Sequence, residues 1–293
     1  MKHVILGVGA IGGLIATALS SIGEDVMVIV RPETLASFPP ELSLQRPPAQ
    51  DSITAPAHPI KSLEEPADIL WIATKTYQLR SALEVIKHAP RYIIPLLNGI
   101  DHVAVLRDKF GAAHVLPATI AVEAERSGPG KFIQRSPFVR LNLPESAKPL
   151  LRSLTETLGK IGFNCQFIQN EQTLLWNKLC FLAPFALATS ASGKSVGEIL
   201  ADPEWSAKLK FAVAEACAVA QASGAETRSD QILAFFDGVP PAMRSSMQKD
   251  VIAGRQLELD AIGGPIVRGG ERFAIDTPVT SSLMSAIRAK SSA

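Results

Sequence analysis

The stretch Lys2-His3-Val4-Ile5-Leu6-Gly7-Val8-Gly9-Ala10-Ile11-Gly12-Gly13 opens with a short apolar run and continues with closely spaced glycines. The run Val4–Leu6 is typical of a buried strand, and residues 11–22 have the small and apolar composition of a helix packed on a sheet. A strand, a glycine-rich turn and a helix in this order predict the first unit of a nucleotide-binding α/β fold.

The glycines match the pattern G-x-G-x-x-G, in which each one has a separate task. Gly7 permits a tight turn, Gly9 lets a pyrophosphate approach the backbone, and Gly12 lets the helix lie close to the strand. The free N–H groups and the positive dipole end of the helix attract phosphates. The pattern therefore predicts a dinucleotide site at Gly7, Val8, Gly9, Ala10, Ile11 and Gly12.

The residue after the second predicted strand, Val26–Val30, indicates which dinucleotide binds. Sites that prefer NAD usually carry Asp or Glu at this point, where it bonds the ribose 2′-hydroxyl. This chain has Arg31 there, followed by Pro32. A guanidinium suits a 2′-phosphate through paired charge-assisted hydrogen bonds. The position favours NADP(H), with a solvated surface arginine as the alternative.

Composition excludes several classes of protein. The chain has 293 residues, 47% apolar and 19% charged, with a net charge of +1, so it carries no basic field for nucleic acid or anionic lipid. Its three cysteines, Cys165, Cys180 and Cys217, follow no metal or disulfide pattern and are typical of buried residues in a reducing cytoplasm. The longest strongly apolar stretch, residues 179–188, is too short to span a bilayer. We expect a cytoplasmic protein without metal, nucleic acid, signal peptide or membrane partner.

Strands alternate with helices up to about residue 169. Further strands are predicted at 67–75, 92–97, 114–124, 138–143 and 163–168, and helices at 77–87, 103–110 and 147–161. Recurrent prolines from Pro39 to Pro66, Pro48 among them, predict short edge strands and loops. The alternation predicts a Rossmann-type, doubly wound parallel sheet in an NADP-binding domain of residues 1–169. Lys75, Asn98 and Ala124 come at or near the carboxyl ends of strands, where such sheets bind ligands.

The pattern after residue 170 is helical to the end. We predict helices at 171–190, 203–223, 230–237, 241–253, 257–271 and 278–290. The first of these is apolar on nearly all sides, which is typical of a buried central helix. Residues 170–293 are therefore predicted to form a smaller all-helical domain, a candidate for substrate binding and for contacts in a homodimer.

Lys178 is the one basic residue between Glu171 and Lys194, and it lies in the apolar central helix. A buried ammonium is either paired or neutralised by a lowered pKa, which would suit a general acid. The alternative is a lysine whose stem lies on apolar neighbours while its amine reaches water. The expected carboxylate partner is Glu258 or Asp260. These two residues point in different directions on a helix, so that one can be buried and the other solvated.

Ser245, Ser246 and Asp250 lie on the predicted helix 241–253, which precedes the segment with Glu258. A hydroxyl near a helix N-terminus could hold a substrate carboxylate. The residues alone favour the simpler interpretation that the two serines cap or stabilise a turn.

The chain resembles ketopantoate reductases (2-dehydropantoate 2-reductases) over nearly its whole length. The matching motifs, in the family's order, are Gly7–Gly12, Arg31–Pro32, Thr74–Gln78, Leu97–Gly99, Trp176–Leu179, Val196–Leu200, Ser245–Asp250, Glu258–Ile262 and Thr277–Val279. The resemblance implies an NADPH-dependent oxidoreductase that reduces a 2-keto acid, ketopantoate in pantothenate biosynthesis, to the 2-hydroxy acid.

The resemblance also implies roles for individual residues. Lys178 would protonate the developing alkoxide and Glu258 would orient it, while Asn98 and Ser246 would bind the substrate. The cofactor-binding residues implied are Gly7, Val8, Gly9, Ala10, Ile11, Gly12, Arg31, Lys75, Gln78, Asn98 and Ala124.

The chain departs from the family at four positions where asparagine is usual. These positions hold Leu182, Ala186, Val196 and Gly263. Ketopantoate carries a hydroxyl that needs polar partners, and a pocket without amides would discriminate against it. The departures favour a 2-keto acid more apolar than ketopantoate.

Two other functions stay open from the sequence. One is a 3-hydroxyacid dehydrogenase of the 6-phosphogluconate dehydrogenase type, which shares the two-domain plan but keeps an asparagine where this chain has Leu182. The other is a catalytically silent NADP(H)-binding sensor. The presence of Lys178 and Glu258 argues against the sensor. A buried ion pair is often no more stable than apolar packing, so these two residues are better explained by a catalytic function.

Overall fold

A computed structural model describes residues 1–47 and 51–291 of the chain, so Pro48 of the proline-rich segment lies outside the described residues. The chain divides into two compact units. The first comprises Met1–Leu97 and His102–Gln169, and the second comprises Asn98–Asp101 and the chain from Asn170 onward. The second unit thus contains a four-residue segment that the sequence analysis placed in the first domain.

In the described part of the first unit there are twelve strands and five α-helices. The strands are β1 (Lys2–Leu6), β2 (Asp25–Ile29), β3 (Glu41–Gln45), β4 (Ile53–Pro56), β5 (Pro59–Ile60), β6 (Ile69–Ile72), β7 (Tyr92–Pro95), β8 (Thr119–Ala121), β9 (Ala124–Gly128), β10 (Lys131–Gln134), β11 (Val139–Pro144) and β12 (Phe163–Ile168). The helices are α1 (Ala10–Ser21), α2 (Pro32–Leu35), α3 (Leu79–Ala82), α4 (His102–Phe110) and α5 (Lys148–Lys160).

The central sheet is parallel and has the order β5-β2-β1-β6-β7. In β1, Val4 pairs with Met27 of β2 on one side and Leu70 of β6 on the other. Val4 and Ile5 are fully buried, as expected of a strand that is covered on both faces. This sheet and its helices confirm the predicted Rossmann-type α/β fold.

Two smaller sheets, β4-β3-β10-β9 and β12-β11-β8, complete the first unit and correct one prediction. Residues 114–124 were predicted as one strand. The structure instead has a 3₁₀ turn at Ala112–His114, an isolated bridge at Val115 and the three-residue strand β8. Pro117 lacks the N–H that a continuous ladder needs, which explains the break. Ala124 therefore opens an antiparallel ribbon with β10 and does not end a parallel strand.

The helix predicted at 77–87 is also wrong. The segment consists of a 3₁₀ turn, the short helix α3 and a second 3₁₀ turn that ends at Val85. The N–H of Leu63 donates to the carbonyl of Val85, and the N–H of Lys87 donates to the carbonyl of Leu63, each at 2.9 Å. These long-range bonds draw Ile86 into a parallel bridge with Leu63, so the backbone leaves the helical conformation there.

The second unit is helical. Its helices are α6 (Glu171–Ser192), α7 (Val196–Ala201), α8 (Pro203–Ala222), α9 (Ser229–Phe236), α10 (Ser246–Ile252), α11 (Leu259–Phe273) and α12 (Pro278–Ser291). This confirms the predicted helical second part. The sequence analysis missed α7, which begins with a capping box of Ser195 and Glu198. The helix predicted at 241–253 begins too early. The helix α10 begins only at Ser246, where Ser245 caps it by accepting the N–H of Gln248.

The central helix α6 is held by its first cap and by close packing. The side chain of Asn170 accepts the N–H of Thr173 at 3.0 Å. Small side chains such as Ala183 on α6 and Ala216 on α8 are fully buried in the core of this unit. Among the described residues, α6 is the one helix long and apolar enough to cross a membrane by length and composition, but 78% of its apolar 18-residue stretch is buried inside the protein.

Candidate active site

The glycine turn of the first unit has the geometry that its three glycines predict. Gly7 has a φ of +97°, and a Cβ added there would lie 2.7 Å from the backbone nitrogen of Thr74. A Cβ at Gly12 would overlap the carbonyl oxygen of Gly7. Side chains at these two positions are therefore excluded by backbone conformation and by the close approach of the strand to α1.

The space next to Gly9 is open in the described part of the chain. A Cβ added at Gly9 would have no atom within 4 Å. Gly9 is the N-cap of α1, and within the described residues this helix has no side-chain cap and no acid in its first turn. Its first N–H groups are thus free of side-chain acceptors, as an anion-binding helix terminus requires. The turn fits a dinucleotide pyrophosphate.

Four of the other predicted cofactor residues lie at exposed or half-buried places in the first unit, whereas Asn98 lies in the second unit. Arg31 is exposed and directly precedes α2. Lys75 and Gln78 are half-buried, and the N–H of Gln78 donates to the carbonyl of Lys75 at 2.9 Å. Ala124 is half-buried at the start of β9.

Three side chains predicted from the sequence come together in the second unit. The Lys178 Nζ on α6 donates to Oδ1 of Asn98 at 3.4 Å. The Nδ2 of Asn98 donates to Oε2 of Glu258 at 3.1 Å. Asn98 therefore bridges the lysine and the carboxylate, a connection that the sequence analysis missed because the bridge spans 80 residues in one direction and 160 in the other.

Chemistry alone fixes the orientation of the Asn98 amide. A lysine ammonium can only donate hydrogen bonds, and an ionised carboxylate can only accept them. The amide satisfies both Lys178 and Glu258 only when its oxygen faces the ammonium and its nitrogen faces the carboxylate. The 3.4 Å contact to Lys178 is longer than a usual charge-assisted hydrogen bond, so the ammonium keeps capacity for another acceptor.

Burial changes the protonation of this lysine. Lys178 is half-buried, and desolvation lowers the pKa of its ammonium to about 8. The negative charge of Glu258 acts in the opposite direction and raises the pKa of Lys178. An amine with a pKa near neutrality can both give and take a proton at physiological pH, which is what a general acid needs.

The two carboxylates near the start of α11 differ in burial, as their spacing predicted. Glu258 is buried, whereas Asp260 is exposed and pairs with Arg268. Ser245 is buried and its hydroxyl lies 2.7 Å from that of Thr189 on α6. Ser246, the serine implied to bind substrate, is exposed at the first helical position of α10.

The four positions without asparagine are apolar in the structure as well. Leu182 lies one turn after Lys178 on the same face of α6, and Ala186 follows one turn later. Ala186 and Val196 are buried. A Cβ at Gly263 would lie 2.5 Å from the sulfur of Met284, so an asparagine there would require that side chain to move.

The structure thus defines a class of protein, one with a Rossmann-type nucleotide-binding unit and a helical unit that carries a Lys–Asn–Glu cluster. The sequence model of the ketopantoate reductase (PanE/ApbA) family matches residues 3–148, and that of its C-terminal part matches residues 170–291. The chain belongs to the ketopantoate reductase family.

Individual relatives agree with this membership. The chain is 29% identical to a 2-dehydropantoate 2-reductase of Caulobacter vibrioides, over 97% of either chain. A D-mandelate dehydrogenase solved with NADH and anilino(oxo)acetate has a TM-score of 0.85 at 23% identity, covering 100% of this chain and 99% of its own. A dimeric ketopantoate reductase of Staphylococcus aureus has a TM-score of 0.82 at 23% identity, with the same coverage. At this identity the two structures show a shared fold.

We predict that Lys178 titrates near pH 8 in the free protein and that Glu258→Gln lowers its pKa further. The substitution keeps an acceptor for Asn98 but removes the negative charge that raises the pKa of Lys178. The measurement is a ¹³C NMR titration of ¹³Cε-labelled lysine, with the Lys178 signal assigned by its loss in Lys178→Arg. Glu271→Gln, an exposed acid on α11, is the matched control.

An unshifted titration of Lys178, near the value of an exposed lysine, would contradict the geometry. So would an upward shift in Glu258→Gln.

Proposed function

We propose that this protein reduces a 2-keto acid to the 2-hydroxy acid with a nicotinamide cofactor, and that Lys178 is the proton donor. The observation that carries the proposal is the Lys178–Asn98–Glu258 cluster, in which the amide of Asn98 joins a lysine of lowered pKa to a buried carboxylate. Membership of the ketopantoate reductase family supports the reaction type.

NADP(H) is the proposed cofactor, held by the turn Gly7–Gly12 and by Arg31, with Lys75, Gln78 and Ala124 beside it. The cofactor would supply the hydride. The exposed guanidinium of Arg31 suits a 2′-phosphate, and no acid occupies the end of β2, where an NAD-preferring site would place one. The D-mandelate dehydrogenase was solved with NADH, so NAD(H) is the alternative.

The chain's own groups then act on the keto acid. Lys178 donates a proton from Nζ to the keto oxygen as negative charge grows there, which stabilises the transition state more than the ground state. Asn98 and Glu258 hold the ammonium in place and keep it protonated. Ser246 is the proposed partner of the substrate carboxylate.

The substrate side chain is proposed to be apolar, with ketopantoate as the default comparison. Leu182 and Ala186 follow Lys178 along its face of α6, and an amide at Gly263 would require the side chain of Met284 to move. Mandelate, the 2-hydroxy acid in the name of one structural neighbour, carries an aromatic side chain.

A homodimer in the cytoplasm is the proposed setting. The dimeric reductase among the structural neighbours supports the assembly. The helical unit exposes Leu200, Phe211 and Phe235, large apolar side chains that a dimer interface could cover. The three cysteines are free, which fits a reducing compartment.

We predict that Lys178→Ala lowers kcat for keto acid reduction about 10²- to 10⁴-fold, the usual contribution of a general acid. NADPH binding, followed by fluorescence titration, is expected to stay within twofold, because Lys178 acts on the substrate. Lys210→Ala, an exposed lysine of α8, is the control. Unchanged turnover in Lys178→Ala would remove the lysine from the mechanism. NADPH binding by a wild-type protein that turns over no keto acid would favour the silent sensor.

We predict that trimethylpyruvate, which is ketopantoate without its hydroxyl, and benzoylformate are reduced with kcat/KM within tenfold of ketopantoate or better. A site built to bind the hydroxyl would reject such analogues by about 10⁴-fold. Leu182→Asn is expected to shift the ratio toward ketopantoate, whereas Ile252→Asn, at the exposed end of α10, is not. A strong preference of the wild type for ketopantoate would contradict the apolar pocket.

A further inference from the structure

The segment Asn98–Asp101 belongs to the helical unit, although the chain on both sides of it belongs to the first unit. All four of its residues contact the helical unit. Asn98 bonds Glu258, and Ile100 packs against the apolar core of that unit. The other two residues, Gly99 and Asp101, contact α11 as described below. The position of the Asn98 amide therefore depends on how this segment is fixed.

Gly99 brings the backbone of the segment onto the first turn of α11. Its φ is +76°, and a Cβ added there would overlap the carbonyl oxygen of Ala261. Both the conformation and the contact require glycine. This contact limits how far the segment can lie from α11, but it supplies no directional bond.

The directional bond comes from Arg268, on the same helix. Its Nη2 donates to Oδ2 of Asp101 at 2.5 Å, and its Nη1 donates to Oδ1 of Asp260 at 2.8 Å. A Cβ at Gly264 would lie 2.5 and 2.6 Å from the two Nη atoms and 2.7 Å from Oδ1 of Asp260. The guanidinium of Arg268 thus occupies the space that a side chain at Gly264 would fill.

We propose that Arg268 is a positioning residue: by tying Asp101 to Asp260 on α11 it holds the Asn98 amide between Lys178 and Glu258. The inference rests on the proposed function for its effect on turnover, but not for its effect on Lys178 itself. A fork that bonds two carboxylates in fixed directions is a property of arginine and not of lysine.

Stability is a poor explanation for this arrangement. The Arg268 side chain is 47% exposed, and those of Asp101 and Asp260 are 54% and 75% exposed. Ion pairs at such exposure contribute little to folding. Their fixed geometry, in contrast, bears directly on a side chain three residues away from Asp101, and small misplacements of a reacting group cost about tenfold to a hundredfold in rate.

The test uses ¹³C NMR titration of Lys178 in the free protein, together with kcat for NADPH-dependent reduction of ketopantoate and benzoylformate. The variants are Arg268→Gln, Arg268→Lys and Asp101→Asn. The control is Arg272→Gln, one turn further along α11, where the guanidinium lies over the ring of Phe273.

The direction in which the pKa of Lys178 changes distinguishes loss of positioning from loss of charge. Loss of a positive charge alone would raise the pKa of Lys178, whereas loss of the Asn98 hydrogen bond to the ammonium lowers it. We expect Arg268→Gln and Arg268→Lys both to lower the pKa of Lys178 and to lower kcat about tenfold or more, with a melting temperature close to that of the wild type. The double variant with Asp101→Asn and Arg268→Gln should lose no more activity than the more impaired single variant, because both substitutions break the bond between Arg268 and Asp101.

The inference is overturned if Arg268→Gln leaves the pKa of Lys178 unchanged or raises it. It is also overturned if kcat falls only in variants whose melting temperature falls as well. A wild-type protein that reduces no keto acid, while Arg268→Gln still lowers the pKa of Lys178, would refute the proposed function and leave the positioning role standing. If the wild type reduces keto acids and the Arg268 variants keep its kcat and its Lys178 pKa, the positioning role alone is refuted.

Discussion

An ammonium group placed among apolar side chains needs a partner, and this constraint organises the helical unit. Lys178 is the one charge in the middle of a long apolar helix, and desolvation disfavours its protonated form. The unit supplies a carboxylate, Glu258, and an amide, Asn98, that is hydrogen-bonded to both Lys178 and Glu258. The result is a protonated amine poised close to the pH at which it can release its proton.

The amide that completes this cluster comes from a segment of only four residues. It reaches the helical unit because Gly99 permits close contact with α11 and because Asp101 pairs with Arg268. The first unit provides the N-terminus of α1, which has no side-chain cap within residues 1–47 and 51–291, and the N-cap Gly9 leaves space there for a phosphate. Each unit thus carries one half of the chemistry that membership of the ketopantoate reductase family implies.

Local patterns predicted much of this arrangement. The glycine turn could be assigned because strand, turn and helix follow one another within a few residues, and Lys178 stood out as a lone charge in an apolar helix. The sequence failed where distant backbone bonds decide the structure, as at Val85 and Leu63, which end the helix predicted at 77–87. The pairing of Arg268 with Asp101, separated by 167 residues, leaves no local signal.

The central claim is that the Lys178 amine, steadied by Asn98 and Glu258, donates the proton to the keto oxygen. The most direct measurement is a crystal structure of the protein with NADP⁺ and benzoylformate, an unreactive pair. We predict that Nζ of Lys178 lies at hydrogen-bonding distance from the keto oxygen, about 2.7–3.2 Å, with Asn98 still bonded to Glu258. A Lys178 amine directed into solvent, with another donor on the keto oxygen, would contradict it.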